Sequence, residues 1–95
     1  MMVDISGLDK AEVLAALFNA SKQQGMGFAD VTGATEMSVQ DARFIVESGQ
    51  TSFDYLRGRV MKVDISGDSF SPWLFDRDVG QGAASRAIEA LRQTA

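Results

Sequence analysis

Arg57, Arg59 and Lys62 fall within a run of six positions beside Tyr55, and Arg77 adds a fourth of the nine basic residues in the chain. A guanidinium fork takes two oxygens of a phosphate at once, and an aromatic face takes a flat ring by stacking. Together these residues are the makings of a pocket for an anionic aromatic ligand, with Tyr55 or Phe28 as the stacking partner. Asp54, Asp64, Asp76 and Asp78 stand near the same cations in the sequence. Pairing among them would give instead a solvated, salt-bridged surface in which each pair contributes little.

A second stretch bears on the same chemistry. Phe75-Asp76-Arg77-Asp78-Val79-Gly80-Gln81-Gly82-Ala83 leads into a helical pattern over 84–91. Free N–H groups and the positive end of the dipole make a helix start attractive to an anion, so the amides after Gly80 and Gly82 are expected to cap a phosphate. The plainer alternative is a strand, a glycine turn and a helix, with Arg77 held between two carboxylates. Gly80-Gln81-Gly82 is not a dinucleotide fingerprint, because the third glycine and the downstream acid are missing.

Composition narrows the chemistry further. The chain has no histidine and no cysteine, which removes histidine-dependent triads, thiolate nucleophiles and the usual zinc ligand sets. Asp76 and Asp78 lack the loop and terminal glutamate of an EF-hand, so no metal ligand, no cofactor and no catalytic residue is assigned. The one catalytic option left is Asp76 or Asp78 as general base on a phosphate ester. A net charge of −4 argues against general nucleic-acid binding, which needs a basic face. It leaves room for an acidic surface that occupies a basic site on a host protein.

These residues need a scaffold, and 95 residues with 45% apolar and 23% charged content make one ordinary globular domain, 1–95. The first residues lack a basic region and a long apolar run, and no stretch approaches the ~18 apolar residues of a membrane span. The expectation is a cytoplasmic protein that does not meet the membrane.

Asp9 as cap, Glu12 three residues on and Leu8 as a staple onto Val13 predict a helix start, followed by a buried stripe of Val13, Leu14, Leu17 and Phe18 and a stop at Gly25. Gly25-Met26-Gly27-Phe28 suggests a tight passage, 28–31 a short strand, and 32–36 a loop. Ser38 opens a second helix with Ala42, Ile45 and Val46 on one face and Gly49 as its stop. Residues 51–58 fit a strand or one helical turn, with the turn slightly favoured. Alternation over 59–65 predicts the central strand. Pro72 precedes an extended segment at 73–75, with Trp73 and Phe70 either covering the open end of the sheet or forming an exposed patch. The last helix buries Ala84, Ala87, Ile88 and Leu91. Without an internal repeat or linker, the order α, β, α, β, β, α gives an α+β domain, a short, mainly antiparallel sheet packed with about three helices.

Three blocks carry a resemblance: Asn19-Ala20-Ser21-Lys22 with Gly25-Met26-Gly27-Phe28; Phe53, Tyr55-Leu56, Gly58-Arg59 and Met61-Lys62; and Asp76-Arg77-Asp78, Gly80 and Gly82-Ala83. Together they resemble a family of short proteins of bacteriophage and prophage genomes. The resemblance implies a phage origin, the host cytoplasm as location and a compact domain; it transfers no functional residue. Some phage proteins that blunt host defence are small oligomers that sequester nucleotide signals in arginine- and aromatic-lined pockets. By that analogy the expected activity is binding of a phosphorylated nucleotide by a homo-oligomer, with Arg57, Arg59, Lys62 and Arg77 on phosphate oxygens and the pocket between subunits. A host-protein inhibitor or adaptor and a carboxylate-dependent phosphoesterase are the alternatives.

Overall fold

Asp9 starts the first helix as its type and position predict. Its Oδ1 accepts from the Ala11 N–H at 2.9 Å and its carbonyl accepts from the Val13 N–H at 3.0 Å, which satisfies two of the donors every helix start leaves open. The computed structural model describes residues 2–23, 38–48, 52–55 and 61–94. Within them run β1 (Val3–Asp4), α1 (Lys10–Gln23), α2 (Val39–Glu47), β2 (Ser52–Tyr55), β3 (Met61–Asp64), β4 (Ser69–Phe70), α3 (Trp73–Val79) and α4 (Ala83–Thr94). The glycine stops at Gly25 and Gly49 and the expected strand at 28–31 lie outside the described residues.

Helix α1 lies at the centre and packs against both α2 and α4. Val13, Leu14, Leu17 and Phe18 are buried, with Ala11 and Ala15 widening the stripe enough to meet two neighbours. Burying each of the large ones contributes about 1.5–3 kcal/mol before entropy is counted. On α2 the Ser38 side chain accepts from the Asp41 N–H at 3.1 Å, Ala42 is buried, and Ile45 and Val46 pack partly against the core. On α4 Ala84 and Ile88 are buried while Ala87 and Leu91 reach the core from its edge.

Every strand pairing among the described residues is antiparallel, but the strands form two ribbons rather than one sheet. Val3 faces Phe70 and Asp4 faces Ser69; Ser52, Phe53, Asp54 and Tyr55 face Asp64, Val63, Lys62 and Met61. The architecture is α+β. Three local expectations are corrected. Residues 52–55 form a strand rather than a helical turn, since pairing with β3 supplies partners that one isolated turn could not. Among the described residues the strand at 61–64 pairs only with β2, at the edge of a two-stranded ribbon rather than in the middle of a sheet. Residues 73–79 are helical, not extended. Proline at a helix N-terminus gives up an N–H that would have no partner anyway. Here Pro72 caps α3 and its carbonyl accepts from the Asp76 N–H at 2.8 Å. Phe75, Asp76 and Val79 then turn inward at helical spacing.

A fourth correction concerns repetition. Val3-Asp4-Ile5-Ser6-Gly7 recurs letter for letter as Val63-Asp64-Ile65-Ser66-Gly67. Both copies fold alike: valine and isoleucine are buried, and the exposed aspartate accepts through Oδ1 from the serine N–H two residues on, at 2.9 Å in the first copy and 3.0 Å in the second. This is the self-made turn that aspartate favours. The copies are tied together, because the Ile5 N–H donates to the Asp68 carbonyl at 2.8 Å and Lys10 Nζ donates to the Gly67 carbonyl. Arg92 Nη2, near the end of α4, donates to the Asp4 and Ser6 carbonyls at 3.0 and 3.2 Å and so closes the first copy onto the last helix.

Candidate functional site

Helix α3 carries the exposed chemistry. Trp73 and Arg77 are four residues apart and therefore on one face, and the Arg77 guanidinium carbon lies 5.7 Å from the centroid of the Trp73 ring. That distance is within reach of a cation–π contact. Trp73 nevertheless remains 63% exposed, which settles its role between the two expected: it does not cover the sheet. Phe70, by contrast, is buried in the core against β1. Trp73, Leu74, Ser71 and Asp64 line an open cavity of about 220 Å³. Helix α3 packs on β3, so the cavity lies where the end of one ribbon meets the start of the helix.

The inward face of α3 does something different. Asp76 is 8% exposed, and its Oδ1 accepts from the buried Ala84 N–H at 3.0 Å. The start of α4 thus already holds an anion, supplied by the chain itself. The Ala83 N–H donates to the Gly80 carbonyl and the Arg86 N–H to the Gly82 carbonyl, both at 3.0 Å. A phosphate at the start of α4 would meet Ala83 and Arg86 amides that are engaged, and would have to displace Asp76 from Ala84 to reach that amide. Gly82 sits at φ 77°, and a Cβ there would come within 2.9 Å of Arg86 Nη1, so this glycine answers a backbone requirement of the turn.

Of the other expected site residues, Tyr55 ends β2 opposite Met61, and Lys62 stands in β3 opposite Asp54. The ribbon that bears both is thereby joined to the helix that bears Arg77. Arg57, Arg59 and Phe28 lie outside the described residues. Asn19 lines a second open groove of about 320 Å³ between α1 and α4, walled mainly by Ala16, Ala20, Ala87 and Ala90. Among the described residues no group of three or more acidic side chains could hold a metal ion, and no helix is long and apolar enough to cross a membrane.

The exposed carboxylates near the N-terminus of α1 are electrostatically set by their neighbours. Arg43 Nη2 lies 2.7 Å from Asp9 Oδ2. That hydrogen bond first, and the Ala11 N–H second, hold the Asp9 carboxyl below the usual carboxylate range. Asp4 is lowered as well, chiefly by the Ser6 N–H. These groups position α1, α2 and the first repeat copy; they do not face the Trp73 cavity. No family model, curated protein or solved structure matches the chain.

Sequence reading offered Trp73 as an exposed patch but did not set it beside Arg77. The signal was present: with Pro72 read as a helix opener, tryptophan and arginine fall at positions i and i+4 on a polar face.

Proposed function

We propose that this protein is a non-catalytic binding module that sequesters a phosphorylated ligand with a flat aromatic part, a nucleotide by class, at the Trp73–Arg77 face of α3. The observation that carries the reading is an indole left 63% exposed with a guanidinium 5.7 Å from its ring centroid, beside a cavity open to solvent. A base stacks on such a ring, contributing about 1–3 kcal/mol, and a guanidinium binds phosphate oxygens. Stacking therefore moves from Tyr55 or Phe28 to Trp73, while Lys62, Arg57 and Arg59 remain candidates for the phosphate end. The absence of histidine and cysteine favours holding over conversion.

Trp73 is the single tryptophan of the chain, so its emission reports the site directly. Titration with ATP, GTP and a 3′,5′-cyclic dinucleotide should quench it saturably, and Arg77→Ala should weaken the binding at least about tenfold, as loss of a charged contact does. Unchanged emission at millimolar nucleotide overturns the reading. Native mass spectrometry of the same samples reads whether a homo-oligomer forms and carries the ligand, and a released product of altered mass would favour the phosphoesterase alternative.

A second reading, a host protein seated on α2, has its own support: Phe44 is 77% and Val39 39% exposed on that helix, with Asp41 and Glu47 exposed beside them. An exposed aromatic with an exposed aliphatic neighbour on one helix is a feature of binding faces. Loss of a stoichiometric partner on Phe44→Asp, with nucleotide binding absent throughout, would replace the first reading with this one.

A further inference from the structure

Phe44 stands at the point of α2 farthest from the core. Ala42 and Val46, two residues before and after it, pack inward, and positions two apart lie about 200° round a helix. Gln40, Asp41, Glu47 and Ser48 surround Phe44 on the outer face and are all exposed. Asp41 and Glu47 are three residues to either side of it, one turn up and one turn down. Among the described residues neither carboxylate accepts a hydrogen bond. The one cation of the helix is committed elsewhere: Arg43 turns to α1, where its Nη2 lies 2.7 Å from Asp9 Oδ2, and Asp9 first, then the fields of Glu47 and Glu12, hold it charged. Lys10, next to Asp9, donates to the Gly67 carbonyl. The ionised groups left around Phe44 are therefore acids.

We infer that this face of α2 receives a basic helix of a protein partner, one that sets an apolar residue between two arginines. The inference rests on the second reading above and gives that partner its chemistry. An exposed phenyl ring alone selects no partner; the acids that flank it do, because they repel acidic surfaces and draw cations that α2 does not supply. Arginine suits the place better than lysine, since its fork matches a carboxylate and its plane stacks on an aromatic face. Spacing selects the shape of the partner. Asp41 and Glu47 are six residues apart, a rise of about 9 Å along the helix. A partner helix with arginines at i and i+6 and an apolar residue at i+3 repeats that rise, so that the apolar residue covers Phe44 while each arginine meets a carboxylate. In an extended strand, residues on one face fall about 7 or 13 Å apart and match neither.

The experiment is a calorimetric titration of the full chain with two alanine-based peptides of about 18 residues, long enough to be helical on their own. One carries arginine, leucine and arginine at three-residue spacing; the other has the same composition with its arginines moved to the opposite side of the helix. The matched peptide should bind at least about tenfold tighter than the shuffled one, as charge-assisted contacts do, and should weaken as salt is raised. Phe44→Ala, and separately Asp41→Asn with Glu47→Gln, should bring the matched peptide down to the shuffled level. These side chains are exposed, so matching thermal midpoints check that the variants fold. Equal binding of the two peptides, or matched binding that survives both variants, overturns the inference. If neither peptide binds while a stoichiometric host protein is still lost on Phe44→Asp, the partner reading stands and its basic chemistry falls; absence of both overturns both. A multimer of the chain that Phe44→Asp breaks makes a second copy the occupant and overturns the inference as well.

Discussion

Asp76 illustrates how one side chain can look functional in sequence and prove structural in space. Flanked by Arg77 and near two glycines, it reads as part of an anion site, and it is itself the anion: its carboxylate accepts the Ala84 N–H at 3.0 Å within a buried contact. Periodicity shows which way a residue points but not what it meets eight positions later. Asp76→Ala should therefore destabilise the fold by about 1–3 kcal/mol, because the Ala84 N–H is left buried without an acceptor. Asp76→Asn keeps an acceptor oxygen and should cost clearly less. Urea denaturation of the two variants checks this, and equal losses would mean that charge rather than the hydrogen bond matters.

Asp9 carries a pH dependence. Its carboxyl is held low in the folded protein by Arg43 and then by the Ala11 N–H, and Asp4 shifts in the same direction. A depressed folded value means that the unfolded chain takes up protons first. The stabilisation is then fully present above the unfolded value of about 3.9 and is lost as pH falls through the lower folded value. The thermal midpoint should be flat from pH 7 to about 5 in this respect and fall below about 4, with a shallower fall in Asp9→Asn.

Among the elements, α1, α2 and α4 were legible because each announces itself twice, by a cap or a charged exposed face and by an apolar stripe. Helix α3 was not. Its seven residues are too few for a periodic pattern to stand out, and a proline before Trp73-Leu74-Phe75 fits an extended segment as well as the helix start that it makes. The two-residue strands β1 and β4 have no pattern of their own; only pairing with each other makes them strands. Energies divide along the same line. Ile88→Ala on α4 should cost about 2–5 kcal/mol, since the side chain is buried among α1 and α4 neighbours. Arg43→Ala, which breaks a solvent-screened pair between α2 and the cap of α1, should leave stability almost unchanged. Chemical denaturation of the two variants under the same conditions tests the ranking.

Taken whole, the molecule has a Cα radius of gyration of 12.1 Å, close to the ~12.4 Å expected of one compact chain of this length. Its stability is unevenly spread. Helix α1 is packed from two sides, whereas α2 buries Ala42 and leaves Phe44 in solvent. Amides of Val13, Leu14, Leu17 and Phe18 should exchange at least about tenfold more slowly than those of Ala42, Ile45 and Val46, since sparsely packed elements open first. Uniform exchange across the two helices would show a single cooperative unit instead. The class of the fold was readable because apolar spacing needs only a few residues to declare itself. The Trp73 cavity was less so: it is made where Asp64, Ser71 and Trp73 meet, and that meeting depends on the packing of α3 on β3.

The pairing of Val3 with Phe70 also dictates a timetable. On the ribosome the first strand emerges long before its partner exists, and at ordinary elongation rates the wait is about 3–13 s. Until then Val3 and Ile5 have no place to go, and the Arg92 clamp on their turn comes later still. Helix α1 can form early from local contacts, but those of the first strand close only after Phe70 and then Arg92 have been made. A nascent chain halted before residue 70 should hold α1 and an unprotected N-terminus, and it is in that interval that the protein is most exposed to proteases and to its own copies.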